Sequence, residues 1–448
     1  MRRAQSRRGV AVVVVLVVIA IGALAGAVAL LAARSASEGA SQASGLVQSR
    51  LTMRSAVLIL EQEALAQREA VLGGADFDLE VPFEVFVQGG RRGVFRLDAA
   101  MTERPVSLDA LLDVNTADAA MLARLPGVDE SLAAAIAAEL PVPSIGALLE
   151  VEGVTAEMLF GEYDEDGLLI SELPPLASLL TVGSADPAFT VGVGSIEGGL
   201  ERVDVSGSPD EATIGRAVEL IGQQEGGGAL ARLLERSGGV ASRADVGRAL
   251  RSVDQQLATS GQIFDGVCFG AEPARGRVDI NRAPVEVLAT LPGFDADGVA
   301  QRLVDARQSL SAEDLASVLW PLEQGLVDEE SMLLAVDRVT TRSVRWVLRG
   351  EAGMAAAARE RSVGVDSLED VQRIRAGMAA AEDDRLGDRV AMDLLVDFSG
   401  SGPVVVPLGE VTIAGELATV ARAMRLASGD EGAMGLASEP DPEAGGRP

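Results

Sequence analysis

Arg2-Arg-Ala-Gln-Ser-Arg-Arg-Gly9 runs straight into Val10-Ala-Val-Val-Val-Val-Leu-Val-Val-Ile-Ala-Ile21, and no charge follows until Arg34. The uncharged stretch from Val10 to Ala33 is 24 residues long. At about 1.5 Å of rise per residue, a helix of that length crosses a hydrocarbon core roughly 30 Å thick. Four arginines on one flank predict a cytoplasmic N-terminus, with the remainder of the chain delivered across the membrane. Ala25-Gly-Ala and Ala32-Ala-Arg imitate the small-x-small site of a secretory signal, but the apolar run is longer than a signal's and the helical pattern continues past it. Removal as a signal and retention as a plain single-pass anchor are the two simple alternatives.

Behind the span, Ser35 to Ser49 is small and polar, a stretch where helix can fray. Leu51, Leu58, Leu65 and Leu72 then recur every seventh residue, beside Val57, Ala64 and Val71, with Arg50, Arg54, Glu61, Glu63 and Arg68 polar. That pattern predicts an amphipathic helix with one apolar stripe, ended by Gly73-Gly74. Val81-Pro-Phe-Glu-Val-Phe-Val and Gly93-Val-Phe-Arg-Leu read as two strands of a hairpin around Gln88-Gly-Gly-Arg-Arg.

From Ser107 the period becomes helical. Asp113-Val-Asn-Thr-Ala-Asp118, Ala119-Ala-Met-Leu-Ala-Arg-Leu, Pro126-Gly-Val-Asp129 and Ser131-Leu-Ala-Ala-Ala-Ile describe two short helices around a Pro-Gly turn, a helix-hairpin-helix unit with Asn115 or Thr116 as its cap. A weaker copy follows over Ile145 to Leu159, turning at Gly153-Val-Thr155. Asp279-Ile-Asn-Arg-Ala-Pro-Val-Glu-Val-Leu-Ala-Thr-Leu-Pro-Gly-Phe-Asp295 repeats Asp113 to Asp129 almost position for position. Between the copies, residues 192–260 read as an insertion; its first part, 192–238, is rich in Gly, Ser, Asp and Glu, with helix over Ile214 to Ile221 and a flexible Gly226-Gly-Gly, and a helix over Ala244 to Leu257 follows the break at Gly238-Gly239. Further on, Ala312 to Leu319 reads as helix, Arg338 to Arg349 as strand, Ser367 to Ala381 as helix, and Arg389 to Phe398 and Pro403 to Leu408 as strands joined by Ser399-Gly-Ser-Gly. The polar tail after Ser428 has the composition of a disordered segment.

Composition narrows the chemistry. The 448 residues carry 67 acidic and 38 basic side chains, a net charge of −29, with no Lys and no His. A chain without His lacks the commonest general base and transition-metal ligand. Cys268 is the only cysteine, so no intrachain disulfide and no cysteine zinc site can form. The acidic surface opposes nucleic-acid phosphates, and aromatic residues are only 3%. There is no Gly-x-Ser-x-Gly, no Gly-Lys-Ser/Thr phosphate loop and no triad histidine, so an enzyme is not expected.

A basic leader ending in glycine, followed at once by an apolar helix, resembles a type IV pilin-like prepilin. That resemblance implies cutting by prepilin peptidase between Gly9 and Val10. Most pilins carry glutamate five residues past the cut; here Val14 stands there, as in the minor pseudopilin K family of type II secretion. An ordinary subunit's carboxylate pairs with the amine of the subunit above it. A tip subunit has no such neighbour, and an unpaired carboxylate in the membrane is costly. The order of leader, helix, hairpin, duplicated helix-hairpin-helix segments and closing strands is similar to the same family, as are Asp113-Val-Asn-Thr-Ala, Asp279-Ile-Asn-Arg-Ala and the Leu-Leu-Thr-Val-x-Ser run over Leu179 to Ser184. The resemblance covers roughly residues 1–185 and 275–350.

The resemblance implies an α+β fold: a long N-terminal pilin-like helix packed on a small antiparallel sheet, with an inserted all-α helix-hairpin-helix domain. The corresponding boundaries are 1–9 leader, 10–72 transmembrane and amphipathic helix, 73–106 first sheet segment, 107–337 helical domain, 338–427 closing strands and extension, and 428–448 tail. It further implies an inner-membrane protein with its bulk in the periplasm, capping a secretion pseudopilus, starting its assembly and contacting secreted protein cargo. I-type and J-type minor pseudopilins would then be its partners, held along the Leu51, Leu58, Leu65 and Leu72 stripe.

Helix-hairpin-helix units also bind DNA through turn amides, so a membrane-anchored DNA-binding or DNA-uptake protein is the alternative. Against it, the second glycine of each turn is replaced, in Gly127-Val-Asp129, Gly153-Val-Thr155 and Gly293-Phe-Asp295. No cofactor is expected; Tyr163-Asp-Glu-Asp-Gly167 is an acidic loop whose oxygens suit calcium, but it lacks the spacing of an EF-hand loop. The favoured reading of that loop is a solvated turn.

Overall fold

A computed structural model describes residues 4–88, 91–97, 104–162, 170–186, 189–190, 200–207, 211–212, 215, 240–252, 256–269, 274–356 and 386–411. The fold is α+β, a long N-terminal helix with an antiparallel sheet and further helices. The expected helix over Ser367 to Ala381, the tail, Tyr163-Asp-Glu-Asp-Gly167, Gly226-Gly-Gly and most of the helix over Ile214 to Ile221 lie outside the described residues.

Ala4–Leu72 is one helix of 69 residues, about 100 Å long, unbroken through Ser35 to Ser49. It ends where Gly73-Gly74 predicts. Ala75 donates its N–H to the Ala70 carbonyl at 2.9 Å and Gly74 donates to Val71 at 3.0 Å, the paired bonds of a Schellman end.

The sheet has the order Phe83–Gln88, Arg91–Leu97, Arg345–Ala356, Gly387–Asp397, Val404–Val411, with Val106–Ser107 pairing on Arg345–Ala356. The first hairpin is antiparallel, with a register shift between Glu84 and Phe86, and Phe83 stacks on Phe95 at 5.0 Å. The last two strands are also antiparallel.

The chain divides into two compact units. The smaller holds Met1–Ala56, Pro82–Arg96 and Glu351–Val390. There Met53 and Ala56 are buried, and the Thr52 hydroxyl lies against the Met354 sulfur. Glu351, buried, is shared by Arg96 at 2.9 Å and Arg389 at 3.1 Å.

The larger unit holds Val57–Val81, Leu97–Gly350 and Ala391–Pro448. The end of the long helix is tied down here: Arg68 donates to the Gly400 carbonyl and Phe77 packs edge-on to Phe398. Arg282 donates to the Gly74 carbonyl at 2.7 Å, pairs with Asp76 and Asp279, and lies over the Trp346 ring. Its helical part holds the main apolar core, including Leu122, Ile136, Leu148, Phe264, Leu288, Phe294 and Trp320. Each predicted Asp-x-Asn segment opens on a two-residue strand that pairs in parallel with a later one. Leu112–Asp113 pairs with Leu180–Thr181, and Val278–Asp279 with Val339–Thr340.

That second pairing changes the expected strand over Arg338 to Arg349. The chain serves two sheets in turn, Val339–Thr340 and then Arg345–Ala356, with Thr341, Arg342 and Ser343 buried between them. The Asp109 carboxylate fixes the break by accepting from the amides of Val344 (2.6 Å) and Arg345 (2.9 Å). The helix expected over Ala312 to Leu319 is instead a short 3-10 turn, Asp314–Ala316, before Trp320–Glu323. The helix expected over Ala244 to Leu257 spans Arg243–Ser252.

Candidate functional site

The long helix has two unlike faces in its second half. Ser49, Thr52, Met53, Ala56, Leu60, Ala64, Arg68 and Val71 are buried. Leu51, Leu58 and Leu65 are 51%, 62% and 55% exposed. At about 100° per residue, those three leucines fall within about 40° of one another, nearly opposite Met53, Leu60 and Ala64. Leu72 departs from the line. A seven-residue step falls about 20° short of two helical turns, so by Leu72 the drift is about 60°. Leu72 is fully buried.

The exposed line continues toward the N-terminus. Projected at the same about 100° per residue, Gly22, Gly26, Ala29, Ala33, Ala40 and Val47 all lie within about 40° of Leu51. No charged residue enters that band between Gly22 and Leu65; Arg34 and Glu38 pair with each other on a flank. Small residues in the apolar half and leucines beyond it give one face an uncharged edge, interrupted by Ser37, Ser44, Ser55 and Gln62, and small-x-x-x-small spacing in a membrane helix lets a second backbone approach closely. The sequence reading names Leu51, Leu58 and Leu65 on this edge but not Gly22 and Gly26, whose four-residue spacing carries the pattern. The helix from Leu16 onward is long and apolar enough to cross a membrane. Gly9 and Val10 lie within the backbone of the same helix.

The turns between the short helices are closed by their own side chains. Asp129 accepts from the Leu132 amide at 2.8 Å, and with the Ser131 hydroxyl this holds its carboxyl below the usual range. Gly293 donates its amide to Asp295 at 3.0 Å, and Asp295 also pairs with Arg124 at 2.7 Å. A Cβ on Gly293 would lie 2.1 Å from the Ser331 carbonyl oxygen, so this turn faces protein. A phosphate seeking these amides meets carboxylates already in place.

Buried carboxylates elsewhere are fully engaged. Asp113 accepts from the Asn115 and Ser184 amides, and Asp279 from Asn281, Arg282 and Ser343. Burial pushes Asp109 up to about 7, against the pull of the Ala185, Arg345 and Val344 amides, with Asp279 adding to the rise. Burial, with nearby Asp204, pushes the Cys268 thiol up to about 11, which leaves it protonated and a poor nucleophile at neutral pH. Among the described residues, no group of three His, Cys, Asp or Glu side chains is placed to hold a metal ion. The uncharged edge of the long helix is therefore the feature best built to engage something outside the chain.

No family model matches this chain, and neither the curated proteins nor the solved structures contain a match to it.

Proposed function

We propose that this protein is a minor pseudopilin of the K type, a membrane-anchored subunit that caps a type II secretion pseudopilus, starts its assembly and meets protein cargo in the periplasm. The observation that carries the reading is the exposed Leu51, Leu58 and Leu65 line, set opposite the buried face and prolonged by Gly22, Gly26, Ala29 and Ala33. A helix used only as an anchor needs no such edge beyond the membrane, whereas a subunit packed beside other N-terminal helices does. I-type and J-type pseudopilins are the partners assigned to it. The basic leader, the valine at position 14 and the helix-hairpin-helix insertion support the same assignment, because a missing carboxylate and a bulky insertion both suit a subunit with none above it.

The test is the mature N-terminus of the full chain made in cells that contain prepilin peptidase. Mass spectrometry is expected to find Val10 first, and a start near residue 27 or 34 overturns the proposal. DNA uptake is the weaker reading, since Asp129 and Asp295 fill the turns that would hold phosphate.

A further inference from the structure

Residues 200–269 carry local geometry found twice elsewhere in the chain. Val203–Asp204 pairs in parallel with Val267–Cys268, in the register of Leu112–Asp113 on Leu180–Thr181 and of Val278–Asp279 on Val339–Thr340. In each case the residue after the aspartate donates its amide to the closing strand: Val114 to Thr181 (2.9 Å), Val205 to Cys268 (3.1 Å), Ile280 to Thr340 (3.0 Å). In each case the aspartate accepts the amide two residues on: Asn115 (3.0 Å), Ser206 (2.9 Å), Asn281 (2.9 Å). About halfway along each loop a serine hydroxyl accepts the amide three residues later, Ser144 from Ala147, Ser242 from Asp245 and Ser311 from Asp314. The opening aspartate and its closing partner are 68, 64 and 61 residues apart. In sequence, Val203-Asp-Val-Ser-Gly-Ser-Pro209 parallels Val278-Asp-Ile-Asn-Arg-Ala-Pro284.

We infer that the helical domain is three tandem copies of one repeat, that residues 203–268 are the middle copy, and that all three are tied together at Asp186. Three independent local features at matching positions are more than a parallel bridge formed by chance supplies. Asp186 follows the closing strand of the first copy. It is buried and accepts from Arg202, at the opening of the middle copy, and from Arg243 (3.4 Å) on that copy's helix. It also accepts from Arg277 (2.5 Å), at the opening of the third copy, and from the Thr340 hydroxyl (2.8 Å) in that copy's closing strand. One carboxylate thus receives donors from both later copies.

Two measurements on the full chain in detergent test this. The first is the Asp204→Cys variant, in which the only other thiol is Cys268. In-register parallel neighbours lie within disulfide reach, so oxidation is expected to give a 204–268 bridge by peptide mass mapping. A variant that folds yet stays reduced overturns the middle copy. The second is hydrogen exchange. In the parent chain the amides of Val114, Val205 and Ile280 are expected to be protected alike; fast exchange at Val205 alone overturns the middle copy. In Arg202→Met, which removes one donor from the hub, all three are expected to exchange faster together. Loss confined to residues 200–269 overturns the tie at Asp186.

Discussion

The Arg124 guanidinium donates to the main-chain carbonyl of Thr290 at 3.1 Å, and Thr290 is the residue that occupies Arg124's own position in the duplicated segment. The first and third repeats therefore meet at equivalent positions, and the same guanidinium reaches Asp295 beyond the third repeat's turn. The pair is about one third exposed on both sides, so the ion pair itself contributes little. Arg124→Ala is expected to lower stability by about 1 kcal/mol, mostly from the lost carbonyl bond, in a denaturant titration. Arg124→Met, which keeps the stem, should cost nearly as much if the bonds matter and almost nothing if the contact is only packing.

How much of this was legible in the chain depends on how local each signal is. Gly73-Gly74 ends a helix through bonds within five residues, and it does so where sequence places the end. The Asp113 and Asp279 repeats were legible because both keep Leu-Pro-Gly. The middle copy keeps the opening Asp204 and Pro209 but lacks the Leu-Pro-Gly turn, so its apolar pattern carries too little to match. Asp186 could not be read at all, since its arginine donors lie 16, 57 and 91 residues away. On the long helix the heptad of leucines was plain, but counting by sevens hides the drift that turns Leu72 inward. It also cannot say that Leu60, off the stripe, is the core residue.

Gly293 gives a sharper test of how the turns are used. Its φ is +85°, and an added Cβ meets the Ser331 backbone oxygen, which cannot swing aside as a side chain would. Gly293→Ala is expected to destabilise by more than about 1 kcal/mol from backbone conformation alone, with the clash added. Thermal melting of the full chain in detergent checks it. A melting point within a degree of the parent would mean that the turn stands clear of Ser331 and is open to a ligand.

Asp109 predicts how the junction before Arg345 responds to pH. Its carboxyl titrates near about 7 when folded, well above its unfolded value of about 3.9, so the folded state binds the proton more tightly. The stabilising contribution is fully present below about pH 4 and is lost as pH rises toward and through about 7. Asp186 acts in the opposite sense. Burial alone would raise it, but Arg202, Arg277 and Arg243 hold it well below the usual range, so its contribution is lost only in strong acid. Between about pH 5 and about pH 8 the melting temperature is therefore expected to fall. The net charge of −29 pushes the same way, so the informative variant is Asp109→Asn. It is expected to melt lower overall, because one amide oxygen cannot serve three backbone donors, and to show a shallower slope. An unchanged slope would assign the pH dependence to general charge repulsion.

The two faces of the long helix separate stability from assembly. Leu60 is fully buried, and Leu60→Ala is expected to cost about 2–5 kcal/mol, from lost transfer energy and the cavity left behind. Leu58, two residues earlier, is 62% exposed, and Leu58→Ala removes little that the isolated chain uses. If the exposed edge seats the helices of I-type and J-type pseudopilins, Leu58→Ala should leave the melting curve in place. The same variant should reduce co-purification with those subunits from membranes at least tenfold, the effect of losing about 1.4 kcal/mol at an interface. Leu72→Ala should behave like Leu60→Ala, since it belongs to the core. Charge on the edge is the stronger probe. Leu58→Glu and Leu65→Glu cost little in solvent but are severe against an apolar partner helix. Should both glutamate variants recover partners as well as the parent chain does, the edge is not the assembly surface and the proposed role loses its main support.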